Sequence, residues 1–81
     1  MCNYNWTFED TTLSQAIARI GDNREWGTNY SFKVRNDRTF EYLVFKNVID
    51  RVDLLREIKS ETHGEIVEAG RSVLIILPKI E

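Results

Sequence analysis

Few side chains in this sequence could carry out catalysis or bind a metal ion, and they are widely spaced. Cys2 is the sole cysteine, which leaves no cysteine-based metal site, and His63 is the sole histidine, with no Cys, Ser or Asp at a spacing that suggests a catalytic triad or dyad. We interpret His63 as a residue at a helix end, where an imidazolium would interact favourably with the helix dipole. The sequence therefore predicts no catalytic residue, no metal site and no cofactor.

Acidic pairs and glycines are the other groups with chemical potential. Asp50 with Asp53, and Glu57 with Glu61, have the spacing that places both members on one helix face. A helix with mixed charge commonly carries such pairs on its solvated surface. The four glycines are too dispersed for a loop that binds phosphate. We therefore predict that the protein is not an enzyme.

Size and composition indicate one small globular domain spanning residues 1–81. The 81 residues are 42% hydrophobic and 30% charged, with a net charge of −2, which is ordinary globular usage. The chain has no basic tail of the kind that binds nucleic acid. Its longest apolar run, Val73 to Leu77, is far shorter than the ~20 residues that cross a membrane. A single cysteine is typical of a reducing compartment. We expect a cytoplasmic protein that does not bind membranes.

Periodicity predicts the first strand and both helices. Residues 4–8 alternate aromatic and polar side chains, which indicates a strand. Thr12 and Gln15 have the spacing of a capping box, with Asp10 and Thr11 as alternative caps. Gly21 ends an apolar helical stripe made of Leu13, Ala16, Ile17 and Ile20. Asn47 is a plausible cap for a second helix that Gly64 ends. Its stripe is Val48, Val52, Leu55 and Ile58, with Ile49 beside it.

The last third of the chain predicts two further strands and completes the fold class. Residues 65–68 and 72–77 flank a turn at Gly70, and the second segment is continuously apolar, as in a strand buried on both faces. The order β-α-β-β-α-β-β predicts a two-layer α+β sandwich. We expect a mainly antiparallel sheet with two helices on one face and a ferredoxin-like tendency.

The stretch from Tyr30 to Phe45 predicts a β-hairpin. A three-residue loop over 36–38 places the apolar residues of both arms on one face, and a shift by one residue would mix the faces. This register also sets opposite charges across from each other. The resulting pairs are Arg35 with Thr39, Val34 with Phe40, Phe32 with Tyr42, and Lys33 with Glu41.

In this register two large apolar side chains, Leu43 and Phe45, lie on the opposite face of the hairpin. Clustered exposed apolar residues on a sheet mark an interaction site. Trp26, in the preceding connection, either plugs the edge of the core or stands as an exposed anchor. The predicted partner-binding residues are Leu43, Phe45, Lys33, Arg35 and Trp26.

These residues favour a small non-enzymatic module that binds another protein. Such a module acts as a homodimer, as an adaptor or as an inhibitor of a larger partner, through sheet packing or strand pairing. In size and composition the chain is similar to small phage-encoded inhibitors of host machinery. We expect self-association as the leading form of partner binding.

Residues 38–45 also resemble the octapeptide of RNA-recognition motif domains, which share the order β-α-β-β-α-β. Arg38, Phe40, Tyr42, Leu43 and Phe45 fit its basic, aromatic and aliphatic positions, while Thr39 and Glu41 replace a glycine and a small residue. The resemblance implies binding of single-stranded RNA, with Phe40 and Tyr42 stacked on bases beside Arg38. It also implies that Leu43 and Phe45 face the helices. This is the alternative function.

Overall fold

The computed structural model describes residues 4–21 and 30–79, which form five strands and two helices in two sheets. In chain order these are β1 (Tyr4–Thr12), α1 (Leu13–Gly21), β2 (Ser31–Arg35), β3 (Thr39–Val48), α2 (Arg51–Thr62), β4 (Glu65–Ala69) and β5 (Ser72–Ile76). The α+β class, the ferredoxin-like order of elements and the mostly antiparallel pairing are confirmed. The strands are divided between two sheets rather than joined in one.

β1 and β3 form a long antiparallel ribbon. Residues 6–12 pair with residues 39–45, and a bulge interrupts the register near the start of β1. Asn47 has φ 58°, a left-handed conformation that asparagine tolerates better than most residues. Its backbone N–H donates to Asn5 Oδ1 at 2.9 Å. The side chain of Asn5 therefore satisfies the backbone N–H of Asn47 at the irregular end of the ribbon.

The second sheet has the strand order β2-β5-β4. β5 is parallel to β2 and antiparallel to β4, and Gly70 begins the tight turn between β4 and β5 with φ 61°, where glycine has no steric cost. Val73 and Ile75 are buried, whereas Leu74 and Ile76 are half-buried on the opposite side. The continuously apolar run therefore belongs to a central strand with one side buried and the other partly open.

The hairpin predicted for β2 and β3 is wrong. The two strands are consecutive but lie in different sheets, so none of the predicted cross-strand pairs forms, and Lys33 lies opposite Leu74 rather than Glu41. Asn36, at φ 59°, redirects the chain between the sheets, and its Nδ2 donates to the carbonyl of Leu77 at 3.2 Å. The alternation in β2 predicts a strand but does not determine the neighbouring strand, because the apolar residues of β5 match those of β2 as well as the residues of β3 do.

α1 begins with the predicted capping box. Thr12 Oγ1 accepts the N–H of Gln15, and Gln15 Oε1 accepts the N–H of Thr12, both at 3.2 Å. A helix of nine residues is marginal on its own, so packing of its apolar stripe must hold it in place. All four residues predicted for that stripe are buried: Leu13, Ala16, Ile17 and Ile20.

Asp37, in the connection between β2 and β3, provides a second cap for α1. Its Oδ1 accepts the N–H of Leu13 at 3.1 Å, and its Oδ2 accepts the N–H of Ser14 at 3.1 Å and the hydroxyl of Ser14 at 2.7 Å. Burial alone would raise the pKa of Asp37, but hydrogen bonds from the Ser14 hydroxyl and from neighbouring backbone N–H groups outweigh it and lower that pKa. The connection between the two sheets is thereby tied to α1.

α2 starts later than the sequence predicts. Its cap is Asp50, whose Oδ1 accepts the N–H of Asp53 at 3.1 Å, and the predicted cap, Asn47, lies within β3. Val52, predicted for the buried stripe, is 56% exposed, and Ile49, predicted beside it, is 45% exposed and precedes the helix. Val48, also predicted for the stripe, is buried at the end of β3, whereas Leu55 and Ile58 do lie on the buried face of the helix. That face consists of Leu54, Leu55, Ile58 and Thr62.

His63 ends α2, and the adjacent Gly64 allows the chain to pack closely beyond it. His63 takes the left-handed conformation, with φ 58°, and its N–H donates to the carbonyl of Lys59 at 2.9 Å. Gly64, the predicted terminator, instead permits close packing, because a Cβ there would lie 3.0 Å from the carbonyl oxygen of Ile76 and 3.0 Å from Leu77 Cδ2. The glycine is therefore required by its neighbours rather than by its own conformation.

α2 also covers the free edge of β3. Glu61 Oε1 accepts the N–H of Val44 at 3.2 Å, and Glu57 Oε1 accepts the N–H of Lys46 at 2.8 Å. These N–H groups do not pair with β1, and an open row of such groups is a template for aggregation. The acidic pair that looked like solvated surface therefore closes a sheet edge.

One hydrophobic cluster joins both sheets and both helices. It includes Phe8 of β1, Ile20 of α1, Phe45 of β3, Leu54 of α2 and Ile75 of β5. Phe8 and Phe45 meet edge to face with ring centroids 6.2 Å apart, a favourable aromatic geometry. Neither α1 nor α2 is long and apolar enough to span a membrane.

Candidate interaction surface

The side of the three-stranded sheet that faces away from the core is open. Side chains alternate along a strand, and Val73 and Ile75 point into the cluster shared with the helices. The alternate positions therefore point outward and form a surface that we call the outer face. Its members are Ser31, Lys33 and Arg35 of β2, Ser72, Leu74 and Ile76 of β5, and Glu65, Val67 and Ala69 of β4.

The register arranges the outer face in three rows across the strands. The first row is Arg35, Ile76 and Glu65; the second is Lys33, Leu74 and Val67; the third is Ser31, Ser72 and Ala69. The centre is therefore apolar, the β2 edge is basic, and the β4 edge carries one acidic residue, Glu65, in the same row as Arg35. The charge on the outer face therefore changes from positive at β2 to negative at β4.

A shallow concavity of about 360 Å³ lies on the outer face. Lys33 and Arg35 border it on the β2 side and Val67 on the β4 side, while Leu74 and Ser72 lie between them. Val67 is 50% exposed. An open concavity with an apolar floor and a charged border has the composition of a docking surface.

The charges on the outer face have no opposite charge to neutralise them within residues 4–21 and 30–79. In that part of the chain the ion pairs are Arg51 with Glu68 and Arg56 with Asp53. Lys33, Arg35 and Glu65 are all exposed and belong to neither pair. They are therefore available to an external partner.

Two of the predicted partner-binding residues, Leu43 and Phe45, do not lie on the surface. They are 1% and 0% exposed, so the expectation that they face outward is wrong. Because β3 pairs with β1, this side of the ribbon turns toward α2 and the core. Any partner contact through these two side chains would require unfolding.

Lys33 and Arg35 do lie on the surface, whereas Trp26 falls outside the residues that the structure describes. What sequence reasoning missed is that Leu74, Ile76 and Val67 accompany the two basic residues, because β2 pairs with β5 rather than with β3. The continuously apolar run of β5 was the available signal. This run indicates a central strand, but it does not indicate that β2 is one of its neighbours.

The residues implied by the RNA-recognition resemblance separate onto different sides of the ribbon. Phe40 is 7% exposed, with the guanidinium of Arg38 4.3 Å from its ring centroid, while Tyr42 is 59% exposed. Asp10, at φ 49°, lies between the paired positions of these two aromatics and reverses the alternation. Tyr42 is opposite Glu9, so the exposed ring stands beside an acidic group rather than a basic one.

The residues with potential for catalysis or metal binding remain dispersed. His63 is exposed at the end of α2, and Asp50 with Asp53 caps the start of the same helix. Over the two described ranges, no group of three or more His, Cys, Asp or Glu side chains is arranged to hold a metal ion. Cys2 lies outside those ranges. The outer face is therefore the candidate functional site.

Comparison with known proteins returned no match to a protein family model, to a curated protein or to a solved structure.

Proposed function

We propose that this protein is a non-enzymatic protein-interaction module that docks through the outer face. The observation that carries the proposal is the half-open apolar strip formed by Leu74, Ile76 and Val67 between the charged edges of the sheet. A contiguous apolar patch with a polar rim marks an interaction site more often than scattered apolar residues do.

The arrangement of the surface supports both affinity and orientation. Removing Leu74, Ile76 and Val67 from water supplies a favourable, non-directional free energy. Lys33 and Arg35 add charge at the border, where charged groups govern partner choice and association rate more than affinity. A large side chain of the partner can fill the concavity, as interface anchors do.

Photo-crosslinking in the cells that produce the protein tests this proposal. A benzophenone amino acid is placed at Val67 on the outer face and, as a matched control, at Tyr42, which is similarly exposed on the other sheet. We expect discrete protein adducts from position 67 and far fewer from position 42. Equal labelling from both positions, or no adduct from position 67, would contradict the proposal, and RNA adducts from position 42 would favour the alternative function.

A further inference from the structure

Arg35 and Glu65 occupy opposite ends of the same row on the outer face, with Ile76 between them. Two strand spacings separate them, about 10 Å, and they form no ion pair with each other. A surface with a basic group at one edge and an acidic group at the other edge of one row is complementary to a copy of itself. This relationship points to a specific partner.

Resting on the proposed function, we propose that the outer face binds a second copy of this chain, face to face, about a two-fold axis that runs parallel to the strands. Such a rotation exchanges the β2 and β4 edges but preserves the order of the rows. Arg35 then lies over Glu65 of the second copy, and Glu65 lies over Arg35 of that copy, as an isologous interface requires.

The charges select this axis over the alternative. A two-fold axis in the same plane but perpendicular to the strands would reverse the rows and leave each edge over itself. Lys33 would then face Lys33 of the second copy, and Glu65 would have no cation opposite. Like charges in close contact disfavour an arrangement, so the pattern of the rows excludes the perpendicular axis.

The dimensions fit aligned packing of two sheets. Face-to-face sheets lie ~10 Å apart with strands within about 30° of each other, and opposed Arg and Glu side chains can together reach across that gap. Leu74 and Ile76 then contact their own counterparts, which are half-buried in one chain. The row of small residues containing Ser72 faces its own copy and keeps its hydration.

The area of the face sets the strength of this dimer. Three strands of five residues cover about 14 by 17 Å, a footprint of roughly 240 Å². This is well below the ~800 Å² per partner of a standard stable interface. We therefore expect a reversible dimer with a dissociation constant in the micromolar range or weaker. It should also weaken at high salt, because its orienting contacts are ion pairs at the rim.

Analytical ultracentrifugation of the full chain over a concentration series tests the arrangement by charge exchange. Arg35→Glu and Glu65→Arg should each weaken dimerisation by about tenfold, because each replaces the two ion pairs of the dimer by two contacts between like charges. The double variant R35E/E65R should restore dimerisation to near the original value. Leu74→Asp should abolish it, and Lys59→Glu, an exposed charge reversal on α2, should leave it unchanged.

The outcomes separate this inference from the proposed function. A chain that stays monomeric at every concentration, while position 67 crosslinks to other proteins, overturns the second-copy arrangement and leaves the interaction module standing. A dimer that Leu74→Asp breaks but the double variant does not restore overturns the axis. Arg35 and Glu65 are exposed, so circular dichroism of their variants should show the native fold and keep the charge-exchange result interpretable.

Discussion

Asp37 and Ser14, 23 residues apart in sequence, are joined by two hydrogen bonds at the start of α1. Oδ2 of Asp37 accepts the backbone N–H of Ser14 at 3.1 Å and its hydroxyl at 2.7 Å. The N–H groups at a helix start have no partner within the helix. A carboxylate from the connection between the two sheets therefore completes α1, and the helix in turn fixes the path of that connection.

Replacement Asp37→Asn should lower the free energy of unfolding at neutral pH by about 1 kcal/mol, because one of the two oxygens that accept hydrogen bonds from α1 is replaced by a donor. The amide keeps the shape of the carboxylate, but it loses the charge and one acceptor oxygen. Urea denaturation measures the change. Glu41→Gln removes an exposed charge from β3 and should leave stability nearly unchanged.

The contribution of Asp37 should depend on pH in a defined direction. Its pKa in the folded protein is lower than the ordinary value of 3.8, so the unfolded chain takes up the proton first as pH falls. The stabilisation is complete above 3.8 and is lost as pH drops through the lower folded-state pKa. The difference between wild type and Asp37→Asn should therefore shrink on acidification below that point; a difference that grows would contradict the assignment.

The double replacement Glu57→Ala and Glu61→Ala should expose the edge of β3. Each lost hydrogen bond should cost about 1 kcal/mol, and the amides of Val44 and Lys46 should exchange hydrogen faster. Hydrogen exchange followed by NMR measures this site by site. Unchanged exchange at both amides would show that the two carboxylates do not protect the edge.

Replacements at His63 and Gly64 should have opposite signs although the residues are adjacent. Gly64→Ala should destabilise by about 1–3 kcal/mol through overpacking, because its Cβ would lie 3.0 Å from the fixed carbonyl of Ile76. His63→Gly should stabilise by about 0.5–1 kcal/mol, since glycine removes the cost of φ 58°. Thermal unfolding of the two variants checks both signs.

Phe45 and Tyr42 provide a contrast on one strand. Phe45→Ala should destabilise by about 3–5 kcal/mol, because the ring is fully buried against Phe8. Tyr42→Ala should change stability by less than about 1 kcal/mol, because that ring is 59% exposed. If the two variants lost equal stability, the assigned orientation of β3 would be wrong.

Local features were predictable because their causes lie within a few residues. The capping box of Thr12 and Gln15 joins groups three positions apart, and the stripe of α1 follows from helical periodicity alone. The turn between β4 and β5 was also predictable, because Gly70 lies within it. The start of α2 was not, because Asn47 and Asp50 are both good caps and the continuation of β3 decided between them.

The candidate site was predictable only in part. Exposed positions for Lys33 and Arg35 follow from alternation within one strand. The assignment of Leu43 and Phe45 failed because it depended on which strand lies next to β3, and on the reversal of alternation at Asp10. Neither property is encoded in the spacing of apolar residues.

The sequence by itself determined the α+β class, the order of the elements and the amphipathic first helix, since these follow from periodicity and short-range hydrogen bonds. Only the tertiary structure decided that β2 joins β5 and β3 joins β1. The physical reason is that an alternating strand shows which side chains share a face but accepts any neighbour with matching apolar positions. Contacts distant in sequence, such as Asn36 with Leu77 and Asp37 with Ser14, made that choice and left the outer face open.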